Sequence, residues 1–134
     1  MPFTAEFIEQ GRGVLYVGAG VLQGSEVLAV KAELLANPDR VRNIVFSIVL
    51  LGDVTECPAT TAEIRQIALV DQQMAQVNPN VVLAAVAPQD LLFGMARMWQ
   101  AFTDTIGWQT AVFRTRAEAD EWISATLASR AASP

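Results

Sequence analysis

The sequence predicts an α/β domain: a mixed, mostly parallel sheet of about five strands, an N-terminal β-hairpin and about four helices. Three observations predict it. Val81 to Val86 is a short, β-branched apolar run that stops at Pro88 and hands over to a long helical pattern. Such a run reads as a strand buried on both faces, which implies helices on each side of a parallel sheet. Asn43 to Leu51, reading NIVFSIVLL, is a second run of the same kind. Between and after these runs stand two Thr-x-x-Glu signatures, Thr60/Glu63 and Thr115/Glu118, which mark helix starts.

Each element follows in order. Phe3 to Glu9 alternates as a half-buried strand, Gln10 to Gly13 is a turn, and Val14 to Val17 resumes as a strand. The two form a hairpin and give the sheet one antiparallel edge. Gly18, Gly20 and Gly24 follow, with Ser25 as N-cap of a helix whose apolar positions are Val27, Val30 and Leu34. Asn37-Pro38 stops that helix. The Asn43 to Leu51 strand ends at Gly52-Asp53, and a loop from Val54 to Ala59 carries Cys57. Thr60 caps a helix running through Ile64, Ile67, Ala68, Met74 and Val77 to Asn78-Pro79. After the strand from Val81, the next helix starts near Gln89 and stops at Gly107 as a C′ glycine. Its stripe is Leu91, Leu92, Met95, Met98, Trp99, Phe102 and Ile106. Trp108 to Phe113 is the last strand. Ala119, Trp122, Ile123, Thr126 and Leu127 give the last helix its core face, and the tail 129–134 is expected to fray. Residues 1–134 are expected to form one domain.

Composition excludes several classes of function. The chain has 134 residues, 52% hydrophobic and 17% charged, with net charge −5 from 9 basic and 14 acidic residues. The bases are scattered, so a nucleic-acid partner and an anionic membrane surface are not expected. No apolar run reaches the roughly 20 residues of a bilayer span, and residues 1–12 lack a signal-peptide h-region. The expected location is the cytoplasm. There is no histidine and one cysteine. That rules out Ser-His-Asp and Cys-His nucleophiles, His or multi-Cys zinc sites and an intrachain disulfide. No catalytic residue, metal or cofactor is expected; an enzyme would have to work with Asp, Glu, Lys31, Tyr16 or Cys57 alone.

The remaining candidates are binding residues. Gly18/Gly20/Gly24 stands between a strand and a helix, as in a dinucleotide fingerprint, but its spacing is G-x-G-x-x-x-G, which a simple small-residue turn also explains. Thr60 and Thr61, at a helix start, are candidate phosphosites, with capping as the plain alternative. Phe93 falls on the polar side of its helix near Arg97, Gln100 and Asp104, with Gly94 beside it. An exposed aromatic next to a glycine marks a partner surface or a pocket wall, unless Phe93 folds back under the preceding loop.

Three stretches carry a family resemblance: Pro2 to Leu28 (PFTAEFIEQGRGVLYVGAGVLQGSEVL), Val81 to Phe102 (VVLAAVAPQDLLFGMARMWQAF) and Trp108 to Ile123 (WQTAVFRTRAEADEWI). Together the chain resembles the SpoIIAA-like branch of the STAS superfamily, also described as STAS/SEC14-like. The second stretch is similar to that family's VAP-x-D-x-x-FG-x-A-R-M segment. The resemblance implies a small α/β sheet with one antiparallel edge and a regulatory role. In anti-sigma-factor antagonists of this superfamily, a Ser or Thr at a helix N-terminus is phosphorylated to switch partner binding. Ala59-Thr60-Thr61-Ala62 occupies that place here, with Ala where the pattern has Asp before and Gly after the hydroxyl residues. The SEC14-like association implies a small apolar ligand.

The leading expectation is a non-enzymatic module binding itself, as a homodimer, or a regulatory protein, through Leu91, Phe93, Gly94, Arg97 and Met98. The alternative is a domain binding a small apolar ligand or a nucleotide. Its pocket would lie at the strand C-terminal ends, walled by Gly18, Gly20, Asp53, Thr55, Pro88 and Phe93.

Overall fold

The computed structural model describes residues 2–132. Five strands form one sheet in the order β1-β2-β3-β4-β5. β1 (Phe3–Ile8) pairs antiparallel with β2 (Gly13–Val21), from Phe3↔Gly18 to Ile8↔Gly13. A 3-10 turn, Glu9–Gly11, joins them, with Glu9 and Gln10 at φ 51° and 62°. β3 (Phe46–Glu56), β4 (Val82–Val86) and β5 (Gln109–Phe113) are parallel to β2 and to one another. The predicted fold class, with its antiparallel edge and parallel remainder, is the observed one.

The helices divide unequally over the two faces. α1 (Gly24–Leu35), α2 (Pro38–Arg42), α3 (Thr61–Val77) and α4 (Asp90–Phe102) pack on one, against Phe3, Val14, Tyr16 and Leu51. Among the described residues, α5 (Arg116–Ala132) alone covers the other, where Ala119 and Ile123 meet Phe46, Ile48, Val82, Ala84 and Val86. β4 is buried along its whole length, which explains its unbroken apolar sequence.

Several boundaries differ from those expected. α2 is an extra helix: Pro38, expected to end a helix, instead occupies the first position of a new one, where its missing N–H costs nothing. β3 begins at Phe46 rather than Asn43: Asn78 Nδ2 donates to Val41 O at 2.9 Å and Ile44 O at 2.7 Å, taking up the Ile44 carbonyl just before the strand. α1 begins at Gly24, one residue before Ser25, the expected cap; Gln23 is its N-cap, its N–H donating to Glu26 Oε1 at 3.2 Å. α4 ends at Phe102 instead of running to Gly107. The buried Thr103 turns its hydroxyl back to Gln100 O at 3.1 Å, ending the helix locally. β2 and β3 run four and five residues beyond their expected ends, past the end of β4, with register shifts after Val17 and Gly20. Gly20, at φ 65°, supplies the left-handed residue of this irregularity. α5 continues into the stretch expected to fray. Arg130 Nε donates to Gln109 Oε1 at 3.0 Å and its Nη1 donates to Asn80 O. Residues 133–134 lie outside the described residues.

Candidate functional site

α1 presents Val27, Lys31 and Leu34 inward, and α3 presents Ile64, Ile67, Asp71 and Met74. Each core stripe therefore carries one charge. Lys31 is 4% exposed and Asp71 0%. Lys31 Nζ donates to Asp71 Oδ1 at 2.8 Å and Oδ2 at 3.0 Å, and Trp99 Nε1 of α4 donates to Asp71 Oδ2 at 2.8 Å. One carboxylate thus ties three helices together. Lys31 Nζ also lies 5.0 Å from the centre of the Tyr16 ring and 5.9 Å from that of Trp99. Burial, with the Asp71 charge adding to it, pushes the Tyr16 phenol well above its ordinary pKa.

Beside this cluster, between the sheet and the helices α1, α3 and α4, is a cavity of about 110 Å³. Its walls are almost wholly apolar: Val27, Ile64, Ile67, Leu92, Ala96 and Trp99, with Val49, Leu83 and Ala85 from the sheet. Gln23, Gly24, Cys57, Ala59 and Met95 also line it. Gly24 lets α1 approach α3 there, since a Cβ would stand 2.9 Å from Glu63 Cβ.

None of Gly18, Gly20, Asp53, Thr55, Pro88 and Phe93 lines this cavity. Gly18 is inside β2, where a Cβ would meet Val54 at 3.1 Å and Leu51 at 3.3 Å, so its small size serves packing. Gly20 lies in the same strand extension, and Asp53 and Thr55 are exposed on β3. The long β2 and β3 moved the supposed strand-to-helix turn into the sheet. Pro88 lies against Gly52. Phe93 is half-buried rather than free: it packs on the main core, and the Arg114 guanidinium covers its ring at 4.0 Å. Arg114 Nη1 also donates to Asp90 Oδ1 at 2.7 Å and Pro88 O at 3.1 Å. Gly94 faces open space, so no element approaches it closely.

The rest of the expected α4 surface is exposed. Leu91 is 62% exposed and Met98 36%, with Arg97 between them. Thr60 is committed to its capping box: its Oγ1 accepts from Glu63 N at 3.1 Å and its N–H donates to Glu63 Oε1 at 2.9 Å. Thr61 is exposed in the first turn. Among the described residues, no group of three or more His, Cys, Asp or Glu side chains could hold a metal ion. No helix among them is long and apolar enough to cross a membrane.

A single sheet of this order, with an antiparallel edge strand and helices on both faces, defines a small α/β domain. Solved structures place the chain further: it has the SpoIIAA-like fold. The anti-sigma factor antagonist SpoIIAA in its unphosphorylated form matches with TM-score 0.56 and 14% identity, over 91% of this chain and 97% of its own. The Bacillus cell fate determinant SpoIIAA in its phosphorylated form matches with TM-score 0.54 and 15% identity, over 90% and 98%. A Shewanella loihica PV-4 protein of the DUF3478 family with a SpoIIAA-like fold matches with TM-score 0.53 and 13% identity, over 90% and 91%. No protein-family model and no curated protein matches the sequence.

Proposed function

We propose that this domain is a non-enzymatic regulatory module that acts by protein–protein contact, pairing with a second copy of itself through α4. The exposure of Leu91 and Met98 carries this reading. They stand seven residues apart on one helix, and with Met95 and Phe102 they make a continuous apolar stripe at helical spacing. Large apolar side chains aligned this way on a solvent-facing helix are the anchors a partner helix takes up. Arg97 beside them supplies a charge to fix register. The anti-sigma factor antagonist that shares the fold is a regulator by name, which agrees with this assignment.

Native mass spectrometry and sedimentation over a range of concentrations test it, with Leu91→Asp and Met98→Asp singly and together. The wild type is expected to be a dimer. The double variant should weaken self-association by at least about thirtyfold, roughly 2 kcal/mol. A wild-type monomer at every concentration removes the homodimer. A dimer indifferent to both changes moves the interface away from α4.

A further inference from the structure

The cavity lies behind α4 and meets the outer face used for pairing at Met95, which belongs to both. Its chemistry follows from two features: its walls are almost wholly apolar, and the two nitrogens of Lys31 and Trp99, which line it, are already engaged by Asp71 outside the lining. Asp71 accepts from Lys31 Nζ at 2.8 and 3.0 Å and from Trp99 Nε1 at 2.8 Å. Among the described residues, no buried side-chain nitrogen or oxygen lacks a hydrogen-bond partner. A water molecule in such a space finds too few partners to stay. Left empty, the space costs its walls the dispersion contacts that a filled core supplies. An apolar molecule restores those contacts without displacing any hydrogen bond.

Charge narrows the class. Lys31 is the cation at the cavity, and Asp71 neutralises it. An anionic headgroup entering here would lose its hydration and find no unpaired cation. Size narrows it further. The volume is about 110 Å³, and apolar cavities of roughly 150 Å³ stay dry and take up benzene. Met95 stands at the wall with a flexible side chain that can adjust to an entering group.

We propose that this cavity is a binding site for an uncharged apolar group about the size of one aromatic ring or a short alkyl chain. Asp71 acts on selectivity through Lys31: it turns a potential carboxylate site into a neutral one.

The test is titration of the whole chain with benzene and with benzoate, followed by the Trp99 indole N–H resonance. Benzene is expected to shift that resonance saturably, and benzoate to bind at least tenfold more weakly. Two variants fill the space from different walls, Ala96→Met on α4 and Ala85→Val on β4; a dispersed spectrum confirms that each is folded. Each folded variant should lose the benzene response. A wild-type protein without a saturable shift, equal responses to the two probes, or a folded, filled variant that still binds benzene would each overturn the proposal.

Discussion

Lys31 and Asp71 show how a single pair of residues can be structurally decisive. Removing one partner leaves the other charge buried and uncompensated, which costs about 3–5 kcal/mol. Lys31→Met and Asp71→Leu should each lose that much by urea denaturation. The double variant should lose far less than the sum, because an apolar pair of similar volume avoids the desolvation that the ion pair bears. Additive losses would mean that the pair does not act as a unit. Tyr16, the only tyrosine in the chain, gives a pH prediction. Its pKa is raised in the folded protein by burial and by the Asp71 charge. The folded protein keeps the phenol proton while the unfolded chain releases it above about pH 10. The unfolded state therefore binds fewer protons there, and stability falls as pH rises, by up to about 1.4 kcal/mol per unit. Below about pH 10 the group contributes no slope. Tyr16→Phe should flatten the alkaline limb of the stability curve, and tyrosinate absorbance should appear only as the wild type unfolds. Both residues sit where periodicity alone puts core: Lys31 is four after Val27, and Asp71 four after Ile67. Two opposite charges on two apolar stripes were the legible signal of the ion pair. Which helix faces meet is a tertiary fact, and no spacing within one helix contains it.

Among the elements, those with chemical punctuation were the most readable. Thr60 and Glu63 announce the start of α3, and the observed box uses both residues as expected. Thr60→Ala should cost about 1 kcal/mol in thermal or urea unfolding, whereas Thr61→Ala should be near neutral, since its side chain is exposed. Equal losses would contradict the capping assignment. Elements whose ends depend on neighbours were less readable. β2 and β3 extend because each supplies the other's ladder beyond β4, and the glycines that suggested a phosphate-binding turn lie inside that extension. Gly24 is the third of those glycines, and its use is different again. Ala normally improves a helix over Gly by about 0.5–1 kcal/mol. Here a Cβ would press on Glu63, the residue that completes the Thr60 cap. Gly24→Ala should therefore destabilise the protein, reversing the usual sign, and its penalty should shrink in a Glu63→Gly background, which removes the Cβ it presses on. A gain in melting temperature would show that the α1–α3 approach relaxes freely.

At the scale of the whole molecule, the uneven division of helices decides how the domain unfolds. Among the described residues, one sheet face is covered by four helices and the other by α5 alone. The alternation of strands and helices in the sequence predicts layers on both sides, but it does not say that a single helix must cover the second. That helix carries few large apolar residues, chiefly Trp122, Ile123 and Leu127, and its seat is the strip made by Phe46, Ile48, Val82, Ala84 and Val86. Every one of those strand residues belongs to a strand whose opposite side faces α1, α3 and α4. Loosening α5 therefore exposes the back of the same strands that hold the main core, and local loss cannot stay local. The tryptophans permit a direct test. Trp122 reports the α5 face, while Trp99 and Trp108 report the other. Ile123→Ala removes buried methyl groups from the α5 contact and should cost about 2–5 kcal/mol. In this variant, unfolding followed through Trp122 and unfolding followed through Trp99 and Trp108, each isolated by replacing the other tryptophans with Phe, should share one midpoint and one slope. Each tryptophan set should also be measured in the parent chain, so that the cost of its own replacements is subtracted. An earlier transition at Trp122, with the other face intact, would make α5 a detachable cover rather than half of one cooperative core.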